Sequence, residues 1–176
     1  MITVGSTVPE FVLSAYRRGE ADFVPCTLSG HDRWIVLFFY PRDFTFVCPT
    51  ELAAFAELAE AFAAEDADLV AASTDSAWSH KAWFGSHALL GDVAYPVLAD
   101  TTQELAEVFG VLTADGSALR GTFVIDPNGV VRHASITDQN VGRSPEETLR
   151  VLQALRTGEL CPVRWKPGQA TLDIAA

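Results

Sequence analysis

The stretch RWIVLFFYP, Arg33 to Pro41, constrains this chain more than any other segment. Its apolar residues run without polar alternation and are rich in Ile, Val, Phe and Tyr, the pattern of a strand covered on both faces. Such a strand lies inside a sheet, with a layer on either side. From Pro49 to Ala64 the spacing changes, and Leu52, Phe55, Leu58, Ala59 and Phe62 recur at the helical period that buries one stripe. A central strand feeding an amphipathic helix is the opening of an α/β architecture.

The alternation continues downstream. ADLVAAST (67–74) reads as a strand, SAWSHKAWFGS (76–86) as a helix, YPVLAD (95–100) as a short strand and TQELAEVFG (102–110) as a helix. LRGTFVIDPNGVVRHASIT holds two apolar runs joined by Asp126-Pro127-Asn128-Gly129, a β-hairpin turn. SPEETLRVLQALRTG adds a helix with Ser144 as N-cap, Pro145 in the first turn and Gly158 as its stop. Residues before Arg33 read as irregular, and the segment from Gly158 to the end, dense in Pro and Gly, as a tail with no evident place in the core. With 176 residues, 49% of them hydrophobic, the chain has the size of one domain with a full core.

Twelve basic residues against 23 acidic ones give a net charge of −11, which argues against a nucleic-acid partner. The N-terminal stretch lacks the charged start and apolar core of a signal peptide, and no apolar run is long enough to span a membrane. The expected location is cytoplasmic, with no membrane partner. Three widely separated cysteines, Cys26, Cys48 and Cys161, suit a reducing compartment better than a disulfide framework.

Cys48 stands between the central strand and the long helical pattern, directly before Pro49. Proline is welcome in a first helical turn, so Pro49 fixes the helix start and places Cys48 at its electropositive edge. Unpaired N–H groups and the helix dipole there favour thiolate over thiol, which would make Cys48 a nucleophile. From the Cys-Pro pair alone, a small buried hydrophobe is an equal reading. Thr45, three positions earlier, can turn its hydroxyl toward the same helix start. Pro41 would wall the pocket without offering a competing N–H.

Pro41, Thr45 and Cys48 in YPRDFTFVCPTEL match the proline-x3-threonine-x2-cysteine signature of the peroxiredoxins. The resemblance continues through TDSAWSHKAW, YPVLADTT, LRGTFVIDPNGVVRH, NVGRSPEETLRVLQAL and GELCPVRWKPG, in the order of the two-cysteine branch that includes the alkyl hydroperoxide reductase peroxidase and the thiol-specific antioxidant proteins. It implies a thioredoxin-like fold with a central mixed β-sheet flanked by helices. It also implies a thiol-dependent peroxidase acting on hydrogen peroxide and organic hydroperoxides, with no metal and no organic cofactor. Cys48 resembles the peroxidatic cysteine, Thr45 the hydroxyl that bonds the peroxide, and Arg120 the arginine that holds thiolate and substrate oxygens. Glu51 and Arg143 match a charged network behind that arginine. Two solvated surface charges are the plainer alternative for that pair.

Cys161, in GELCPVRWKPG, is similar to the family's resolving cysteine, which forms a disulfide with the sulfenic acid of another subunit. The resemblance therefore implies a homodimer, with a domain over 1–157 and a tail over 158–176 that carries Cys161. It implies further that a dithiol reductant, thioredoxin or a flavoprotein reductase among the options, recycles the disulfide. Nothing in the sequence selects the reductant or the preferred peroxide. VVRHASIT could pair with its own copy across a two-fold axis. Assembly into a decamer rests on the resemblance alone, with Phe44, Phe46 and Trp83 as candidate contacts.

A disulfide needs Cα atoms within about 7 Å, so the first turn at Cys48 and the tail at Cys161 are both expected to rearrange on oxidation. The sequence departs from parts of the branch. Only 15 residues follow Cys161, with no Tyr-Phe pair, and HALLGDVAYP lacks a Gly-rich insertion. Fast local unwinding and resistance to over-oxidation are the expectation. Cys26 reads as a buried or incidental thiol. His31, His80, His87 and His133 form no convincing metal site; Trp78 and Trp83 read as core and interface side chains. A thioredoxin-like dithiol reductase would need Cys-x-x-Cys, and position 51 is Glu. A holdase chaperone or structural ring of the same fold is the non-enzymatic alternative.

Overall fold

The computed structural model describes residues 1–173. The apolar run forms β3 (Trp34–Phe39), and its side chains alternate between two cores. Val36 and Phe38 face one cluster with the following Tyr40, while Ile35, Leu37 and Phe39 face the other. A strand with an apolar layer on each side has no solvated face, which is why the run carries no polar alternation. β3 pairs in parallel with β4 (Ala67–Ser73) and antiparallel with β6 (Arg120–Ile125).

The remaining strands are β1 (Val12–Tyr16), β2 (Val24–Thr27), β5 (Val97–Ala99) and β7 (Val131–Thr137). They complete one mixed seven-stranded sheet in the order β2-β1-β5-β4-β3-β6-β7. Helices α1 (Cys48–Glu57), α2 (Ala59–Ala64), α3 (Ala77–Ser86), α4 (Glu104–Val108) and α5 (Pro145–Thr157) flank it. No helix among the described residues is long and apolar enough to cross a membrane.

Three expectations change. The supposedly irregular start holds the β1–β2 hairpin, whose edge strand is only half-buried and has an internal proline, Pro25, so it shows no clean period. The single helix over 49–64 is two, because Leu58 (φ −99°, ψ 5°) leaves helical geometry between α1 and α2. Residues 158–173 of the tail pack against α5: Trp165 is 4% exposed, Arg150 Nη1 donates to its carbonyl at 3.1 Å, and Leu160 bridges to Leu172. A single buried Trp within a Pro/Gly-rich segment produces no periodic signal, so it escaped the pattern reading.

The hairpin and last helix follow their local chemistry. Asp126 Oδ1 accepts from the N–H groups of Asn128 and Val130, and Gly129 takes φ +75°. Ser144 accepts from Glu147 N–H at the start of α5, and Gly158 ends it in left-handed geometry.

Candidate active site

α1 begins at Cys48, with Pro49 directly after it, and no side chain caps it. The Val47 carbonyl instead accepts from Thr50 N–H (3.1 Å), Glu51 N–H (3.3 Å) and Thr50 Oγ1 (2.6 Å). No side chain bonds the free N–H groups of this helix start, and Cys48, 1% exposed, sits there with Glu51 in the same first turn.

Arg120, the first residue of β6, brings Nη1 to 3.6 Å from Cys48 Sγ and also donates it to Glu51 Oε2. Its other donors, Nε (2.9 Å) and Nη2 (2.6 Å), both bond the Gln139 carbonyl. Arg143 grips the other side of Glu51, through Nε to Oε1 (2.9 Å) and Nη2 to Oε2 (3.2 Å), while Nη1 reaches Gly121 O. All three side chains are at least nine-tenths buried. The cluster thus holds two guanidinium charges against one carboxylate, and an unpaired buried charge is costly. The Cys48 sulfur is the further group that the Arg120 guanidinium faces. Gly121, whose carbonyl takes Arg143 Nη1, backs onto the opposite core, where a Cβ would lie 2.6 Å from Val111 Cγ1.

Pro41, Thr45, Val47, Cys48, Arg120 and Gln139 line a cavity of about 230 Å³. Thr45 differs from expectation in detail: its Oγ1 donates to the Arg42 carbonyl at 2.9 Å rather than reaching back to the helix start, because the loop curls on itself there. Its lone pairs remain as acceptors. The cavity therefore gathers an acceptor at Thr45, the Arg120 guanidinium and the Cys48 sulfur around one space, a set fitted to a small molecule with an O–H next to a second oxygen.

Glu51 and Arg143, expected as a supporting pair, sit behind Arg120 and are buried rather than solvated. Gln139 was not foreseen: it acts through its main-chain carbonyl, which any residue carries, and so left no sequence signal. Its side-chain amide is itself anchored to Ser117 Oγ (2.8 Å) and Ala118 O (3.2 Å).

Cys161 is not in this cavity. It is half-buried beside the end of α5, with Sγ 3.7 Å from the Ala154 carbonyl and 3.5 Å from Thr157 Oγ1. All three cysteines are free. Cys26 lies in a separate cavity of about 410 Å³ that shares no lining residue with the Cys48 cavity, and burial pushes its thiol up from the ordinary value. Among the described residues no group of three or more His, Cys, Asp or Glu side chains could hold a metal ion. His80 is fully buried on α3, whereas the His87 ring receives Leu89 N–H. Of the three aromatic residues expected at an outer contact, Phe44 and Phe46 are exposed, but Trp83 is buried under Phe44 at 6.0 Å. Trp83 faces the core from α3, and it is Trp78 on the same helix that is exposed.

The model of the AhpC/TSA family matches residues 4–134. The chain belongs to that family. Peroxiredoxin prdx-2 of Caenorhabditis elegans is 47% identical over 178 aligned residues, covering 96% of this chain and 88% of that protein. Alkyl hydroperoxide reductase C of Mycobacterium tuberculosis (strain CDC 1551 / Oshkosh) is 41% identical over 184, covering 98% and 94%. Among solved structures, the reduced 2-Cys peroxiredoxin of Plasmodium vivax superposes with a TM-score of 0.90 at 32% identity, covering 96% of this chain and 91% of that one. The fold is the thioredoxin-like fold of the peroxiredoxins.

Proposed function

We propose that this protein is a thiol-dependent peroxidase of hydrogen peroxide and organic hydroperoxides, with Cys48 as its nucleophile. The observation that carries the reading is the Cys48 sulfur at a helix start, 3.6 Å from a buried arginine, inside a cavity closed by Pro41 and Thr45.

The thiolate of Cys48 attacks the terminal oxygen of R–O–O–H. An S–O bond forms, the O–O bond breaks, and R–O⁻ leaves to take up a proton as water or an alcohol. Sulfur is oxidised to the sulfenic acid and the peroxide is reduced by the same electron pair. Thr45 Oγ1 accepts the peroxide O–H and Arg120 donates to the oxygens over which charge spreads. Pro41 has no N–H to compete. Glu51 and Arg143 keep the Arg120 guanidinium aimed at the sulfur.

Cys161 of a second copy then attacks the sulfenic sulfur. An S–S bond forms, hydroxide leaves as water, and a dithiol donor such as thioredoxin or a flavoprotein reductase reduces the disulfide. Cys48 is buried and Cys161 is packed on α5, so both segments open for this step. The subunit pairs through β7 as a homodimer in a cytoplasmic setting, and the exposed Phe44 and Phe46 offer a contact for assembly into a decamer. Residues 1–157 act as the peroxidase domain and 158–176 as the resolving tail.

The test is peroxide consumption by the purified protein with one dithiol donor at a time. Wild type is expected to turn over, Cys48→Ser to be inert, and Cys161→Ser to complete one round without recycling. Turnover by Cys48→Ser would remove the reading.

A further inference from the structure

The segment between β3 and α1 carries Pro41 and Thr45, yet its shape is fixed from beneath by a polar cluster that the peroxidase chemistry leaves unused. Phe44 in this segment has φ +56°, a left-handed backbone that a bulky residue adopts only where its surroundings enforce it. The preceding residue supplies the enforcement. Asp43 is 7% exposed; its N–H donates to Asp75 Oδ2 at 2.9 Å, its Oδ1 accepts from Tyr40 Oη at 2.7 Å, and its Oδ2 lies 2.8 Å from His80 Nδ1.

His80 on α3 is fully buried, and both ring nitrogens are committed. The Leu98 carbonyl, 3.2 Å from Nε2, only accepts, so Nε2 carries a proton; the assignment follows from the partner. Nδ1 faces the Asp43 carboxylate at 2.8 Å and the Tyr40 hydroxyl at 3.2 Å in a site shut off from water. Burial, and then the Asp43 charge, push the Tyr40 phenol well above its ordinary range, so it keeps its proton and donates. Asp43 thereby ties the loop to Tyr40 after β3 through its carboxylate, to Asp75 after β4 through its N–H, and to Leu98 of β5 through His80. Cys48 and Arg120, by contrast, are held by Glu51, Arg143 and Gln139, none of which hydrogen-bonds to Tyr40, Asp43, Asp75 or His80.

We propose that His80 is a positioning residue for peroxide reduction: by clamping Asp43 it holds the Pro41–Thr45 segment, and with it the Thr45 hydroxyl, in register with the Cys48 sulfur. The inference rests on the peroxidase reading and deepens it. It divides the site into two independent mounts, one for the thiolate and Arg120 and one for the residue that orients the peroxide. A loop displaced by loss of His80 would spoil the orientation of the peroxide but leave the sulfur's own setting intact.

The experiment compares two second-order rate constants in the Cys161→Ser background: oxidation of Cys48 by hydrogen peroxide, and alkylation of Cys48 by iodoacetamide, located by mass spectrometry. Iodoacetamide needs the sulfur but not Thr45. His80→Ala is expected to slow the peroxide reaction about 10²-fold while alkylation changes by less than about threefold, since misplacement near 1 Å is enough for such a loss. Asp43→Ala is expected to behave alike and serves where His80→Ala fails to fold. Asp43→Asn, whose amide can accept from Tyr40 and donate to a neutral His80, should recover most of the loss. Both constants falling together, or neither changing, overturns the inference. A wild type inert toward peroxide removes the functional reading and this inference with it; a reactive wild type with an unchanged ratio in His80→Ala overturns the inference alone.

Discussion

At the scale of residues, the site is a charge-balance problem solved around Glu51. One carboxylate holds two buried guanidiniums, and the Cys48 sulfur lies 3.6 Å from one of them. Replacing Arg120 with Met is expected to slow peroxide reduction by about 10²–10³-fold, the usual cost of one donor aimed at developing charge, as read by stopped-flow fluorescence. Glu51→Ala leaves two guanidiniums without their carboxylate and should destabilise the fold by about 3–5 kcal/mol in urea unfolding. Cys26→Ser should leave turnover unchanged, because its thiol lies in another cavity and is held protonated by burial. Much of this was legible from sequence: Pro41, Thr45, Cys48 and Arg120 gather at one cavity, with Glu51 and Arg143 behind. What was not legible acts through groups that leave no signature. Gln139 contributes a backbone carbonyl, and His80 is tied to Asp43 by a contact across 37 positions of chain.

At the scale of elements, β3 explains why the centre of the fold was readable and its margins were not. Its residues alternate between two apolar layers, so every position is constrained and the run declares itself. The β1–β2 hairpin and the tail bury only single faces or single side chains, and a lone buried Trp has no period to detect. The tail nevertheless has an anchor that can be tested. Trp165→Ala removes the buried ring, and hydrogen exchange over residues 160–172 is then expected to rise to the level of a frayed terminus while β3 stays protected. Unchanged protection of that segment would show that Trp165 does not hold it. The same release should speed disulfide formation with Cys161.

At the scale of the whole molecule, β7 is the sheet's outer edge, and Ile136 on it is 47% exposed. A dimer formed through that edge would be weakened by Ile136→Asp, visible as a shift toward monomer in sedimentation velocity. His133 lies on the same strand, and its imidazole is lowered from the ordinary 6.5 chiefly by burial, with the nearby Glu147 opposing and Arg150 adding to the effect. A histidine kept neutral on folding contributes stability that is present above about pH 6.5 and lost as pH falls from there toward the lowered value, because the unfolded chain then binds more protons. The urea midpoint should therefore fall between pH 7 and pH 5.5, and His133→Asn should remove part of that slope.

The account turns on which sulfur meets the peroxide. The direct measurement is mass spectrometry of Cys161→Ser treated with one equivalent of hydrogen peroxide in the presence of dimedone, which traps sulfenic acids. The predicted result is a single adduct on Cys48. An unmodified Cys48, or an adduct on Cys26 in its place, would contradict the account.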